Sequence, residues 1–181
     1  GLNPYAEWDK MLALATSADL RFVISNTTEA GIADVEEAYT PSEAQQSFPA
    51  KIAALLYARY TALKGDKRAG LVFLPCELIE ANGTNLKRIV LAHAKRWGFE
   101  AGFAEWIESS NYFLNTLVDR IVPGFPAAEA DALATAFGYR DDLLVAAEPF
   151  HLWVIEGPQF LADEFPLHKA GLNVVWTEDM R

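Results

Sequence analysis

Residues 71–97 read Leu71-Val-Phe-Leu-Pro-Cys-Glu-Leu-Ile-Glu-Ala-Asn-Gly-Thr-Asn-Leu-Lys-Arg-Ile-Val-Leu-Ala-His-Ala-Lys-Arg-Trp97. The head of this run, Leu71 to Leu74, is apolar on both faces, as parallel strands buried between helices are. Its tail carries Leu86, Ile89, Val90 and Ala94 at helical spacing, so a helix is expected from about Thr84 to Trp97, entered through an Asn82-Gly83 turn. The same pattern stands upstream. Leu20-Arg-Phe-Val-Ile-Ser25 is a second short, β-branched run, and a helix opened by Ser47 with Pro49 close behind extends to about Leu63. Strand, helix, strand, helix at this spacing makes an α/β domain with a largely parallel sheet the expected class.

Working outward, Pro4 to Ala15 has Tyr5, Trp8, Met11, Leu12 and Ala15 at helical spacing, with Asn3 as cap. Ala127 to Phe137 also reads as helix, and His151-Leu-Trp-Val-Ile155 and Leu172-Asn-Val-Val-Trp176 read as strands. No repeat, low-complexity stretch or Ser/Gly linker interrupts the series, so no internal domain boundary is expected.

The chain has 181 residues, 51% apolar and 22% charged, the balance of a soluble globular domain. Its apolar runs are strand-sized, too short for a membrane span. One cysteine, Cys76, allows no internal disulfide and no cysteine-based zinc site; with no secretory pattern at the start, a cytoplasmic location is expected. The net charge of −10 argues against nucleic acid as a partner. The charge is uneven, however. Residues 50–126 hold ten basic and seven acidic side chains between two acidic segments, so an anionic ligand is expected nearer the middle, unless the pattern is only a solvated surface.

In open parallel sheets the ligand crevice lies outside the carboxyl ends of the strands. Two loops leave strands there: Ser25-Asn-Thr-Thr-Glu-Ala-Gly31 and Pro75-Cys-Glu-Leu-Ile-Glu-Ala-Asn-Gly83. The first gathers hydroxyls, an amide and a carboxylate before a small Ala30-Gly31 pair, which suits a polar ring or a sugar hydroxyl, or else a turn whose side chains satisfy their own backbone. Asn82 is either part of a tight turn or a fixed amide donor for a carbonyl or alkoxide oxygen. Asp119, in Leu117-Val-Asp-Arg-Ile-Val122, is either a ligand group or an ion-pair partner of Arg120. Cys76 reads as a small core residue. His93, His151 and His168 show no metal-ligand spacing, and the chain has no Gly-x-Gly-x-x-Gly or Walker-type loop.

These motifs carry a resemblance. Phe22-Val-Ile-Ser-Asn-Thr-Thr-Glu-Ala-Gly-Ile32, Leu74-Pro-Cys-Glu-Leu-Ile-Glu-Ala-Asn-Gly83 and Thr116-Leu-Val-Asp-Arg-Ile-Val122 resemble successive segments of the metal-independent long-chain mannitol dehydrogenase family. Ser47-Phe-Pro-Ala-Lys51 and Val154-Ile-Glu-Gly-Pro158 fit the same family, so the likeness runs over essentially the whole chain. It implies a Rossmann-type domain and NAD-dependent hydride transfer on a small-molecule sugar acid, interconverting D-altronate and D-tagaturonate. Mannitol or mannonate as substrate, and a non-catalytic sugar-acid or partner-binding module, are the alternatives. The resemblance also implies that Thr28, Glu29, Ala30 and Gly31 lie by the nicotinamide, that Asn82 serves the substrate oxyanion, and that Asp119 lines the polyol site. Two family features are missing from the 181 residues: the glycine-rich first βαβ portion, and the Lys-x-x-x-x-Asn-x-x-His helix that carries the general base. The chain is therefore expected to be an interior part of the N-terminal domain, with the remainder of a parent chain as its partner, and inactive alone.

Overall fold

The computed structural model describes residues 1–180. Helix α1 (Trp8–Thr16) leads into strand β1 (Phe22–Ser25), helix α2 (Phe48–Ala62), strand β2 (Val72–Pro75), helices α3 (Asn82–Arg96) and α4 (Ala101–Ser110), and strands β3 (Tyr112–Phe113) and β4 (Asn115–Asp119). Helix α5 (Ala130–Phe137), strand β5 (Leu152–Glu156), helix α6 (Gln159–Glu164) and strand β6 (Val174–Thr177) follow.

The first sheet has the order β1-β2-β3 and is parallel throughout, with Ser25 opposite Pro75 and Phe73 opposite Phe113. Every residue of β2 is buried, which accounts for its unbroken apolar reading. Helix α2 starts where Ser47 Oγ accepts from the Ala50 amide at 3.3 Å, and the Glu37 carboxylate accepts from both the Ser47 amide and its hydroxyl. Helices α2, α3 and α4 press Ile52, Leu56, Leu86, Ile89, Phe103 and Ile107 against Phe73 in the main core. Full burial of each such side chain contributes about 1.5–3 kcal/mol.

The second sheet, order β4-β5-β6, is mixed: β4 runs antiparallel to β5, and β5 parallel to β6. Strands β3 and β4 are one stretch of chain that changes sheet at the buried Leu114. Helix α3 begins hard against that corner. A Cβ on Gly83 would lie 2.2 Å from the Leu114 carbonyl oxygen, so only glycine lets the helix start there. The expected Asn82-Gly83 turn is thus corrected: both residues are already helical, and the turn is made one residue earlier by Ala81 in a left-handed conformation, φ 50°. The first helix also starts later than expected, at Trp8, after a turn in which Asn3 Oδ1 accepts from the Tyr5 amide.

His93 on α3 is wholly buried, and neither ring nitrogen has a hydrogen-bond partner among the described residues. Burial, helped by the Arg96 cation, pushes its pKa below the ordinary 6.5, against the pull of Glu37 and Asp34. Below that value an unfolded chain takes up a proton that the folded one refuses. Stability is therefore complete above about pH 6.5 and falls as the pH drops from there toward the lower folded pKa. The Asp34 and Glu37 carboxyls are held low, by the Arg96 ion pair and, against burial, by the Ser47 and Gln46 hydrogen bonds respectively, so their losses come in more acid solution. Urea denaturation of wild type and His93→Phe between pH 5 and 7 is expected to show a slope that flattens in the variant; equal slopes would contradict it.

Candidate functional site

Register brings the two loops together. Because Ser25 stands opposite Pro75, the segments that follow β1 and β2 leave the sheet side by side, at its carboxyl edge. Glu77 joins them. Its side chain is only 2% exposed, and its carboxylate accepts from Ser25 Oγ at 3.0 Å, the Thr27 amide at 3.0 Å and Thr27 Oγ1 at 2.9 Å. The hydroxyls of Ser25 and Thr27 thus serve the neighbouring loop rather than their own turn. Gly31 closes the turn with its amide on the Thr28 carbonyl, and a Cβ there would fall 1.7 Å from Thr27 Oγ1. The Asn26, Thr28, Glu29 and Ala30 side chains remain exposed on the outside of this anchored loop.

Asn82, fully buried at the start of α3, forms the opposite anchor. Its Nδ2 donates to the carbonyls of Pro75 (2.9 Å), Glu77 (3.0 Å) and Thr116 (2.9 Å), and its Oδ1 accepts from the Gly83 and Thr116 amides. Thr116 Oγ1 also donates to the Pro75 carbonyl. One amide therefore ties the end of β2, the following loop and β4 together. Its two amide hydrogens already serve three carbonyls.

A cavity of about 690 Å³ opens between the loop after β2 and strand β4, lined by Glu77, Leu78, Glu80, Asn115, Leu117 and Glu156, among others. Among the described residues no lysine or arginine lines it. Six of the ten basic side chains of the middle segment are held elsewhere: Lys51 on Gln46 and Tyr5, Arg59 on buried carbonyls, Arg68 on Asp66, Arg88 and Arg96 on Asp34, and Arg120 on the Glu148 carbonyl. Most of the cavity lining does come from the middle segment, but its charged side chains there are carboxylates. Folding pairs those basic side chains with partners outside the cavity lining and leaves carboxylates around the cavity.

Asp119 closes β4 opposite Leu152 and is exposed. It shares an open face of the second sheet with Asn115 and Leu117, while Thr116 points the other way. It makes no ion pair among the described residues, since Arg120 turns to Glu148, and it does not line the cavity. Through Glu77 the structure thus ties Ser25 and Thr27 to the buried Asn82, while Thr28–Gly31, like Asp119 farther along β4, lie outside the cavity lining. Cys76 is buried beside Thr116; burial pushes its thiol up to about 11, so it stays protonated and inert. No helix among the described residues is long and apolar enough to cross a membrane.

The model of the mannitol dehydrogenase Rossmann domain matches residues 1–169. The chain is 49% identical over 176 residues to the altronate oxidoreductase of Halalkalibacterium halodurans, covering 97% of this chain and 34% of that one. It is 47% identical over 180 residues to the altronate oxidoreductase of Bacillus subtilis, covering 99% and 38%. It spans little more than a third of the length of these curated relatives. Among solved structures it resembles a D-sorbitol dehydrogenase in substrate-free form, with a TM-score of 0.74 and 28% identity over 96% of this chain and 37% of that one. It shares its fold with the mannitol 2-dehydrogenase of Pseudomonas fluorescens, solved as a ternary complex with NAD and D-mannitol, with a TM-score of 0.75 and 22% identity over 98% and 37%.

Proposed function

The chain belongs to the mannitol dehydrogenase family, and from that premise we propose that it supplies the nucleotide-facing wall of an NAD-dependent oxidoreductase interconverting D-altronate and D-tagaturonate. The observation that carries this reading is the identity of 47–49% with altronate oxidoreductases along nearly all of the chain. A buried, protonated lone cysteine suits a reducing compartment, and we place the protein in the cytoplasm.

The residues present fit the nicotinamide end of the cofactor. An anchored loop at the carboxyl edge of a parallel sheet presents the exposed Thr28, Glu29 and Ala30 beside Gly31, where the small Ala30-Gly31 pair lets a flat ring approach backbone. When bound, NAD accepts or returns the hydride. Thr28 to Gly31 hold the ring, and Asn82 fixes the wall on which the alkoxide forms. To donate to that oxygen itself, the Asn82 amide must give up one of its three carbonyl acceptors. Asp119 receives substrate hydroxyls from the open face of the second sheet.

Rates of NADH oxidation by the natural full-length chain with tagaturonate, fructuronate and fructose test this reading. Tagaturonate is expected to be preferred by at least about ten-fold in kcat/KM, the discrimination that a differently placed hydroxyl supports. Preference for fructose or fructuronate would move the enzyme to another branch of the family.

A further inference from the structure

Glu77 is a buried carboxylate without a cation. Its exposure is 2%, and no basic side chain among the described residues pairs with it. Buried charges are ordinarily paired, because desolvation alone costs several kcal/mol per ion. Here three donors from one short segment, Ser25 Oγ, Thr27 N and Thr27 Oγ1, replace water around both carboxylate oxygens. That all-acceptor pattern fits the ionised group. A neutral glutamine would satisfy nearly the same contacts: its oxygen can accept from Thr27, and its amide can donate to Ser25 Oγ. Hydrogen bonding alone therefore does not require the charge.

The position of the charge gives it a use. Glu77 lies at the joint of the loops after β1 and β2: its carboxylate holds Thr27, the residue before the segment Thr28–Gly31, and its own carbonyl holds the Asn82 amide. Resting on the assignment of that loop to the nicotinamide, we propose that Glu77 is a positioning residue with two effects. It fixes the Asn26–Gly31 loop against Asn82, and its unpaired negative charge favours the oxidised, cationic nicotinamide over the reduced, neutral one. A charge that the fold leaves uncompensated acts across a low-dielectric wall, where screening by salt is weak.

Binding, rather than turnover, is the test. Dissociation constants for NAD+ and NADH are measured by calorimetry and NADH fluorescence on the natural full-length chain, as wild type, Glu77→Gln, Glu77→Ala and Thr27→Val. Glu77→Gln is expected to keep the loop and lower the affinity for NAD+ relative to NADH by roughly ten-fold, the order of effect that loss of one neighbouring charge has at an effective dielectric near 20. Glu77→Ala removes both effects, weakening both nucleotides and shifting the ratio. Thr27→Val loosens the loop but keeps the charge, so both affinities fall together at an unchanged ratio. A merely structural role for Glu77 predicts no change of ratio in any variant. An unchanged ratio in folded Glu77→Gln overturns the charge effect, and wild-type affinities in both Glu77→Ala and Thr27→Val overturn the loop effect. If the glutamate variants do not fold, a ratio that changes in Thr27→Val overturns the proposal, because the charge is intact there. Wild type that binds neither nucleotide refutes the NAD reading itself, and this inference with it; wild type that binds both, with an unmoved ratio, refutes this inference alone.

Discussion

Asn82→Asp is expected to cost about 4 kcal/mol of folding stability, although it changes a single atom. The amide nitrogen lies 2.9–3.0 Å from three carbonyl oxygens in a fully buried site. An oxygen in its place turns attractions into repulsions and introduces a carboxyl with no cation to meet it. Protonation of the new side chain rescues one contact of three, so the loss should lessen in acid. Urea denaturation at neutral and acid pH measures both effects. A loss below about 1 kcal/mol would mean that the amide does not hold β2 to β4 as described. The prediction concerns the site as much as the fold, since the same amide sets the wall beneath the proposed alkoxide.

Arg59→Met is expected to be comparably damaging, at about 3–5 kcal/mol. The guanidinium is 1% exposed and donates to the carbonyls of Ala69 (2.6 Å), Ala15 (2.7 Å), Ser17 (2.6 Å) and Leu20 (3.0 Å). Burial lowers its pKa from the usual arginine value, but no group on its fork could take the proton. Methionine fills most of the volume, takes the donor from the carbonyls of Ala69, Ala15 and Leu20, and leaves that of Ser17 with the Leu20 amide at 3.3 Å. Those carbonyls belong to the end of α1, the entry to β1 and the approach to β2, so hydrogen exchange in Ala15–Phe22 and Ala69–Val72 should rise first. Arg59→Lys should recover only part of the loss, because an ammonium lacks the planar fork. Unchanged stability in the methionine variant would contradict this role.

The sequence conveys the first sheet well, because the patterns that carry it are local. Leu20–Ser25 and Leu71–Leu74 are short apolar runs separated by a capped helix, and the crevice rule then selects the two loops without any family likeness. Helix α4 was equally legible, with Phe103, Trp106 and Ile107 at helical spacing, yet the expected elements omit it. Strand β4 was harder. Asn115 to Asp119 mixes polar and apolar residues because one face packs on Pro75 and Asn82 while the other is open. Glu77 went unmarked for a different reason. Its importance depends on the register of Ser25 with Pro75, a relation between residues fifty positions apart that no local pattern expresses. The fate of the basic side chains was hidden for the same reason: charge counted along the chain does not show that Arg59 is buried or that Arg96 meets Asp34.

Whether the crevice between the loops after β1 and β2 receives NAD is tested most directly by amide chemical shifts of this chain during an NAD titration. Binding should be weak, since no glycine-rich pyrophosphate loop lies within the 181 residues. Shifts are expected to concentrate at Thr27–Gly31 and Glu77–Gly83 and to leave Phe125–Leu144 unmoved. Saturating nucleotide that shifts neither loop, or that shifts only the 125–144 region, would contradict the account.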